Sequence, residues 1–127
     1  MAGMRVLCHS ATADLRTRLA GLSSLAGLEL EGSNDVAGTI EMLRRDHHRL
    51  VLVDASGTDD EGLSVCRTIR ATSPKDQCVV VLITDGDDPL FHRLALQAGA
   101  DDIIDGHLED SQLDASFASA RHRAESL

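Results

Sequence analysis

Three polar residues stand where short apolar runs stop. Leu50-Val51-Leu52-Val53 ends in Asp54, Val80-Val81-Leu82-Ile83 ends in Thr84, and Val6-Leu7-Cys8-His9 runs to Ser10. If these runs are parallel strands, all three residues lie at carboxyl ends, outside which such sheets bind their ligands. Asp59, Asp60 and Glu61 could rebuild a cation site with Asp54, although a solvated loop is the simpler role, because hard cations need several convergent oxygens. His9 and His107 near the same edge would make, with Asp54, a transition-metal or pH-sensing site. The plainer role for His9 is a partly buried side chain with a backbone partner, and for His47 and His48 a place on the surface. Ser10 has no nucleophile elbow around it and is not read as a catalytic serine.

The elements that must position these groups follow from the apolar pattern. Short β-branched runs bounded by charge read as strands buried on both faces. Strands are expected at 5–9, 28–31, 49–54, 80–84 and 102–104. Between them lie helical stripes: Leu15, Leu19 and Leu22; Val36, Ile40 and Leu43, capped by Ser33 or Asn34; and Leu63, Cys66 and Ile69 after a polar loop over 56–62. Ser73-Pro74-Lys75-Asp76 reads as a turn. Asp88 caps a fourth helix whose first position is Pro89 and whose left-handed end is Gly99. Ser111 and Asp114 resemble a capping box for a last helix carrying Leu113, Phe117, Ala120 and Ala124. Five βα units without a glycine-rich phosphate loop predict an α/β, flavodoxin-like (βα)₅ three-layer sandwich with parallel strand order 2-1-3-4-5.

Composition narrows the function. The 127 residues suit one domain, residues 1–127 with a core over about 5–123. With two Phe, no Tyr and no Trp, the core is aliphatic and offers no platform for stacking bases. A net charge of −9 argues against nucleic acid or anionic lipid as a partner. No apolar run approaches membrane-spanning length, and the first residues are no signal peptide. Cys8, Cys66 and Cys78 lack metal-type spacing, and Cys8 and Cys66 sit in apolar patterns, so reduced thiols in a cytoplasmic protein are expected.

Four segments and their spacings together resemble the receiver domain of two-component response regulators: the Leu50–Asp54 run, Gly62-Leu63-x-x-Cys66-Arg67-x-Ile69-Arg70, Val79–Thr84 and Ala98-Gly99-Ala100-Asp101-Asp102. The resemblance implies that Asp54 is the phosphoacceptor position and Thr84 the switch hydroxyl. It places Ser56 where a main-chain carbonyl ligates magnesium, leaving Asp54 and Ser56 as the residual metal donors. Several positions depart from the family. Ser10 and Ala11 replace the acidic pair that binds Mg²⁺, Gly106 the lysine that pairs with the phosphoryl oxygens, and His107 the proline after it. Ile103 replaces the aromatic switch residue, and Asp85 the small residue that admits the phosphoryl donor. Phosphoryl transfer to a carboxylate depends on cations that neutralise the transferring oxygens. Losing one such donor costs on the order of 10²–10³ in rate, and here several are gone.

The expected function is therefore that of an atypical, or pseudo-, receiver. It would signal through protein–protein contacts, with weak or no Mg-dependent phosphorylation at Asp54, without enzyme activity and without a cofactor. Its partner would be another protein or an attached output domain. Contacts are expected on the face of the fourth helix, fifth strand and fifth helix, through Leu90, Arg93, Leu94, Asp101, Asp102, Ile103 and Arg121, a face that could also support a homodimer. One alternative is a working receiver phosphorylated on Asp54 by a histidine kinase. Another is a small flavodoxin-like ligand-binding or enzyme domain.

Overall fold

The computed structural model describes residues 4–10, 13–55, 59–72, 77–86 and 88–127, with the side chains of 13, 59 and 60 outside that set. The elements alternate: β1 (Arg5–His9), α1 (Ala13–Ala20), a 3-10 turn (Ser23–Leu25), β2 (Glu29–Ser33), α2 (Val36–Arg45), β3 (Leu50–Asp54), α3 (Asp59–Thr72), β4 (Val79–Thr84), α4 (Pro89–Gln97), β5 (Asp102–Asp105) and α5 (Asp110–Glu125). All neighbouring strands are parallel and the order is β2-β1-β3-β4-β5, as the pattern predicts.

The sheet is the middle layer of three. Val6, Cys8, Leu50, Leu52, Val81 and Ile83 face one way, against Leu19 of α1, Leu25 of the turn, and Leu113 and Phe117 of α5. Leu7, Val51, Val53, Val80 and Leu82 face the other way, against Leu63, Cys66 and Ile69 of α3 and Phe91 and Ala95 of α4, with Val36 and Ile40 of α2 beside them. Every residue from Leu50 to Val53 is fully buried, which is why this run shows no polar alternation. The three cysteines are buried thiols outside any disulfide, Cys8 under one face and Cys66 and Cys78 under the other. Burial pushes the Cys8 and Cys78 thiols up to about 12.

Two glycines carry close contacts. Gly99 ends α4 at φ +106, and a Cβ there would stand 2.4 Å from Arg70 Cγ. Gly62 lets α3 approach the end of β3, where a Cβ would stand 2.6 Å from Ala55 Cβ. Asp88 accepts the Leu90 N–H at 3.0 Å and Pro89 opens α4, as expected.

Several element ends differ from the sequence reading. α2 is capped by Asp35, which accepts the Gly38 N–H at 2.5 Å, and not by Ser33 or Asn34, because Ser33 still belongs to β2. α3 already begins at Asp59, so residues 59–62 belong to a helix and not to a loop. α5 begins at Asp110, which puts Ser111 inside its first turn. Asp114 instead accepts the Ser24 N–H at 2.6 Å, so no capping box forms. The predicted turn at 73–76 lies outside the described residues. Among the described residues no helix is long and apolar enough to cross a membrane.

Candidate functional site

The carboxyl ends of β1, β3 and β4 bring Ser10, Asp54 and Thr84 to one edge of the sheet, as the parallel order requires. A cleft of about 290 Å³ opens there, lined by Asp54, Thr84, Asp85, Gly106, His107 and Arg18 among others. Asp54 is partly buried, and Ser10 Oγ donates a 2.9 Å hydrogen bond to its Oδ2. Thr84 is 4% exposed and donates to the Gly86 carbonyl at 2.8 Å, so in this conformation its hydroxyl is bound within the loop that follows β4. At the cleft mouth the exposed Asp85 carboxylate and His107 Nε2 lie 3.4 Å apart.

Gly106 stands at the turn out of β5, its N–H donating to the Thr84 carbonyl at 2.8 Å. A Cβ here would lie 3.1 Å from Ile83 Cγ2 and 3.2 Å from the Thr84 carbonyl oxygen, so the backbone runs tight against the end of β4. The cation in this part of the cleft comes from α1. The Arg18 guanidinium donates through Nη1 to the Gly106 carbonyl at 2.7 Å and through Nη2 to the Leu108 carbonyl at 2.9 Å. Its Nε and Nη2 also reach Asp110 Oδ1 at 3.1 and 2.9 Å. Sequence reading missed Arg18. Its spacing was a usable signal, since it follows Asp14 and Leu15 by one turn and so shares their face of α1.

The described residues fit a magnesium ion poorly. Mg²⁺ takes hard oxygen ligands in a demanding octahedron, generally with carboxylates among them. At the β1 end a serine hydroxyl already donates to Asp54, and no group of three His, Cys, Asp or Glu among the described residues converges as a metal site. Ala11 and Ser56, the other positions tied to the metal, lie outside the described residues, as do the side chains of Asp59 and Asp60.

His107 lines the cleft as expected, but His9 and His48 differ from the sequence reading. His9 is 2% exposed, because β1 is covered on both faces. Its partners are side chains and not backbone: Nδ1 shares a 2.7 Å hydrogen bond with Thr39 Oγ1 of α2, and Nε2 lies 3.7 Å from Glu61 Oε1 of α3. Burial holds its pKa below the usual imidazole range, against the opposing pull of Glu61, Asp35 and Asp54. His9 and His107 therefore belong to separate contacts and do not converge on Asp54. His48 is buried and not on the surface; it enters β3 two residues before Leu50, so it faces inward, 3.3 Å from Glu31 Oε2. His47 is exposed, as expected.

The predicted interaction face divides in two. Leu90 is 61% exposed and Arg93 is exposed, with Leu96 at 56% as an addition that the sequence reading omitted. Leu94 and Ile103 are partly buried against the core, and Asp102 is partly buried with its carboxylate accepting the Ile103 N–H. Asp101 and Arg121 also fasten elements within the domain. The Asp101 side chain is 8% exposed, pairs with Arg70 and accepts the Val80 N–H at 2.8 Å. Arg70 also donates to the Gly99 and Cys78 carbonyls, each at 2.7 Å. Arg121 donates to the Ser24 and Ala26 carbonyls at 3.0 and 3.2 Å.

No family model matches the chain. The response regulator MprA of Mycobacterium leprae is 31% identical over 101 residues, covering 80% of this chain and 43% of that protein. The transcriptional regulatory protein AfsQ1 of Streptomyces coelicolor is 30% identical over 86 residues, covering 68% of this chain and 37% of that protein. The chain thus spans less than half the length of these two curated relatives. Among solved structures, the signal receiver domain of an HD domain-containing protein from Pseudomonas fluorescens superposes with a TM-score of 0.82 at 18% identity, covering 99% of this chain and 92% of that one. With five parallel strands in the order 2-1-3-4-5, an aspartate closing the third of them, and response regulators as its relatives in sequence, the chain is a receiver domain of the two-component response-regulator type.

Proposed function

We propose that this receiver works without ordinary magnesium-dependent phosphorylation, as a protein-interaction module in the cytoplasm and not as an enzyme. The observation that carries this reading is the hydrogen bond from Ser10 to Asp54, which sits where the family holds a metal-binding carboxylate. A hydroxyl donating to the acceptor carboxylate supplies one hydrogen bond and no charge with which to hold a divalent cation. Asp85 adds a carboxylate at the cleft mouth, where an anionic phosphoryl donor would enter. The contact surface is the exposed side of α4, with Leu90 and Arg93 at its centre, and the partner is a protein or an output domain attached to a longer chain.

The test is intact mass after incubation with Mg²⁺ and acetyl phosphate, with Asp54→Asn as the control. The expected result is no added phosphoryl group on protein shown to be folded by circular dichroism. A gain of one phosphoryl group that Asp54→Asn abolishes would overturn the reading in favour of a working phosphoacceptor fed by a histidine kinase.

A further inference from the structure

We propose that Arg18 is a positioning residue that fastens the β5–α5 loop of the Asp54 cleft in one conformation, without any group on Asp54. The inference takes its functional sense from the reading above: the state that a partner meets is set by an internal fastening and not by a phosphoryl group.

Several contacts converge on the loop. Gly106 N–H donates to the Thr84 carbonyl at 2.8 Å, which ties the loop to β4. His107 N–H donates to Asp105 Oδ1 at 2.9 Å, and its ring lies 3.4 Å from Asp85 in the loop after β4. Leu108 N–H closes back on the Asp105 carbonyl at 3.2 Å. Arg18 then reaches across from α1 to the carbonyls of Gly106 and Leu108 and to Asp110, the first residue of α5. One planar fork therefore holds both sides of the turn and the start of the following helix. Guanidinium suits this task because it stays charged and presents several N–H donors in a fixed plane.

The Arg18–Asp110 pair would contribute little by itself, since the two side chains are 38% and 71% exposed. The carbonyl contacts give the arrangement its geometry, because those oxygens belong to the loop backbone and cannot move without it. The same bonds direct the positive charge at the loop. The resemblance placed a cation at position 106, turned toward the phosphoryl oxygens. Here Gly106 is packed against β4, and the nearby cation faces its carbonyl.

Backbone hydrogen exchange on the unmodified protein tests the proposal, comparing wild type with Arg18→Ala, Arg18→Lys and Asp110→Asn. In Arg18→Ala the Gly106 and Leu108 amides should exchange about tenfold faster or more, while Leu52 and Val81 in the central strands change by less than about twofold. Arg18→Lys should fall between, because an ammonium cannot span two carbonyls and a carboxylate. If Arg18→Ala does not fold, Asp110→Asn keeps the Arg18 stem in place and should still loosen the loop locally, by a smaller factor. Unchanged loop amides in a folded Arg18→Ala protein overturn the proposal, as does an equal acceleration throughout the sheet. A phosphoryl gain in the mass experiment would refute the proposed function and leave the exchange result standing.

Discussion

Replacing Asp101 with alanine should unfold this protein about 9–25 °C sooner, from a loss of roughly 3–5 kcal/mol at about 3–5 °C each. The magnitude follows from what the carboxylate holds. It is 8% exposed, it pairs with an Arg70 guanidinium that is 11% exposed, and it accepts the Val80 N–H at 2.8 Å. Truncation strands a largely buried cation and removes the acceptor from a buried amide, and an unsatisfied group of that kind costs about 1–3 kcal/mol alone. Total stabilities are only about 5–15 kcal/mol, so the loss is a large share. Asp101→Asn should cost less, because a carbonyl oxygen remains for Val80. Arg93→Ala, on the exposed side of α4, should stay within about 0.5 kcal/mol of wild type. Thermal unfolding followed by circular dichroism at 222 nm measures all three. An Asp101→Ala midpoint within about 2 °C of Arg93→Ala would refute the reasoning and return Asp101 to the contact surface where the sequence first put it.

Two further outcomes are expected. Gly62→Ala should destabilise by about 1–3 kcal/mol in urea unfolding, since its Cβ would stand 2.6 Å from Ala55 Cβ and α3 must move off the end of β3; an unchanged midpoint would show that the helix yields freely. Stability should fall as pH rises above 9, because the unfolded thiols of Cys8 and Cys78 lose protons near 9.0 while the folded ones hold theirs to about 12. The contribution is complete below pH 9 and is lost between 9 and 12, at about 1.4 kcal/mol per pH unit for each thiol. Cys8→Ala should flatten that slope in denaturant titrations taken at several pH values, and an unaltered slope would count against a buried, neutral thiol.

The sequence made the sheet legible because burial on both faces leaves an unmistakable trace. Leu50-Val51-Leu52-Val53 and Val80-Val81-Leu82-Ile83 have no polar residue to confuse the period, and the carboxylate and hydroxyl that close them fall together at one edge. α4 was equally plain, since Asp88, Pro89 and Gly99 are local signals. Long-range polar partners were not legible. His48 looked like a surface histidine beside His47, and only its entry into a covered strand turns it toward Glu31, seventeen residues earlier. Asp101 sat in a run of charges that reads as solvated until Arg70 of α3 is seen to reach it. Arg18 was half legible: its place one turn after Asp14 and Leu15 set its face of α1, but its partners at 106, 108 and 110 are joined to it by topology.

The two outer strands of the sheet carry carboxylates: Glu29 and Glu31 on β2, and Asp102 and Asp105 on β5. An open sheet offers a row of unpaired backbone groups at each side, a template on which a second molecule could add its own strand. Here such an approach, β2 to β2 or β5 to β5, would bring two carboxylates from each molecule toward one another, and like charges facing across strands are destabilising. A net charge of −9 adds repulsion at longer range. Carboxylates on both outer strands would therefore disfavour strand addition, although Arg5 of β1 pairs with those of β2. Neutralising both glutamates of β2 to glutamine would remove that protection on one side, and would be read as faster turbidity on gentle heating.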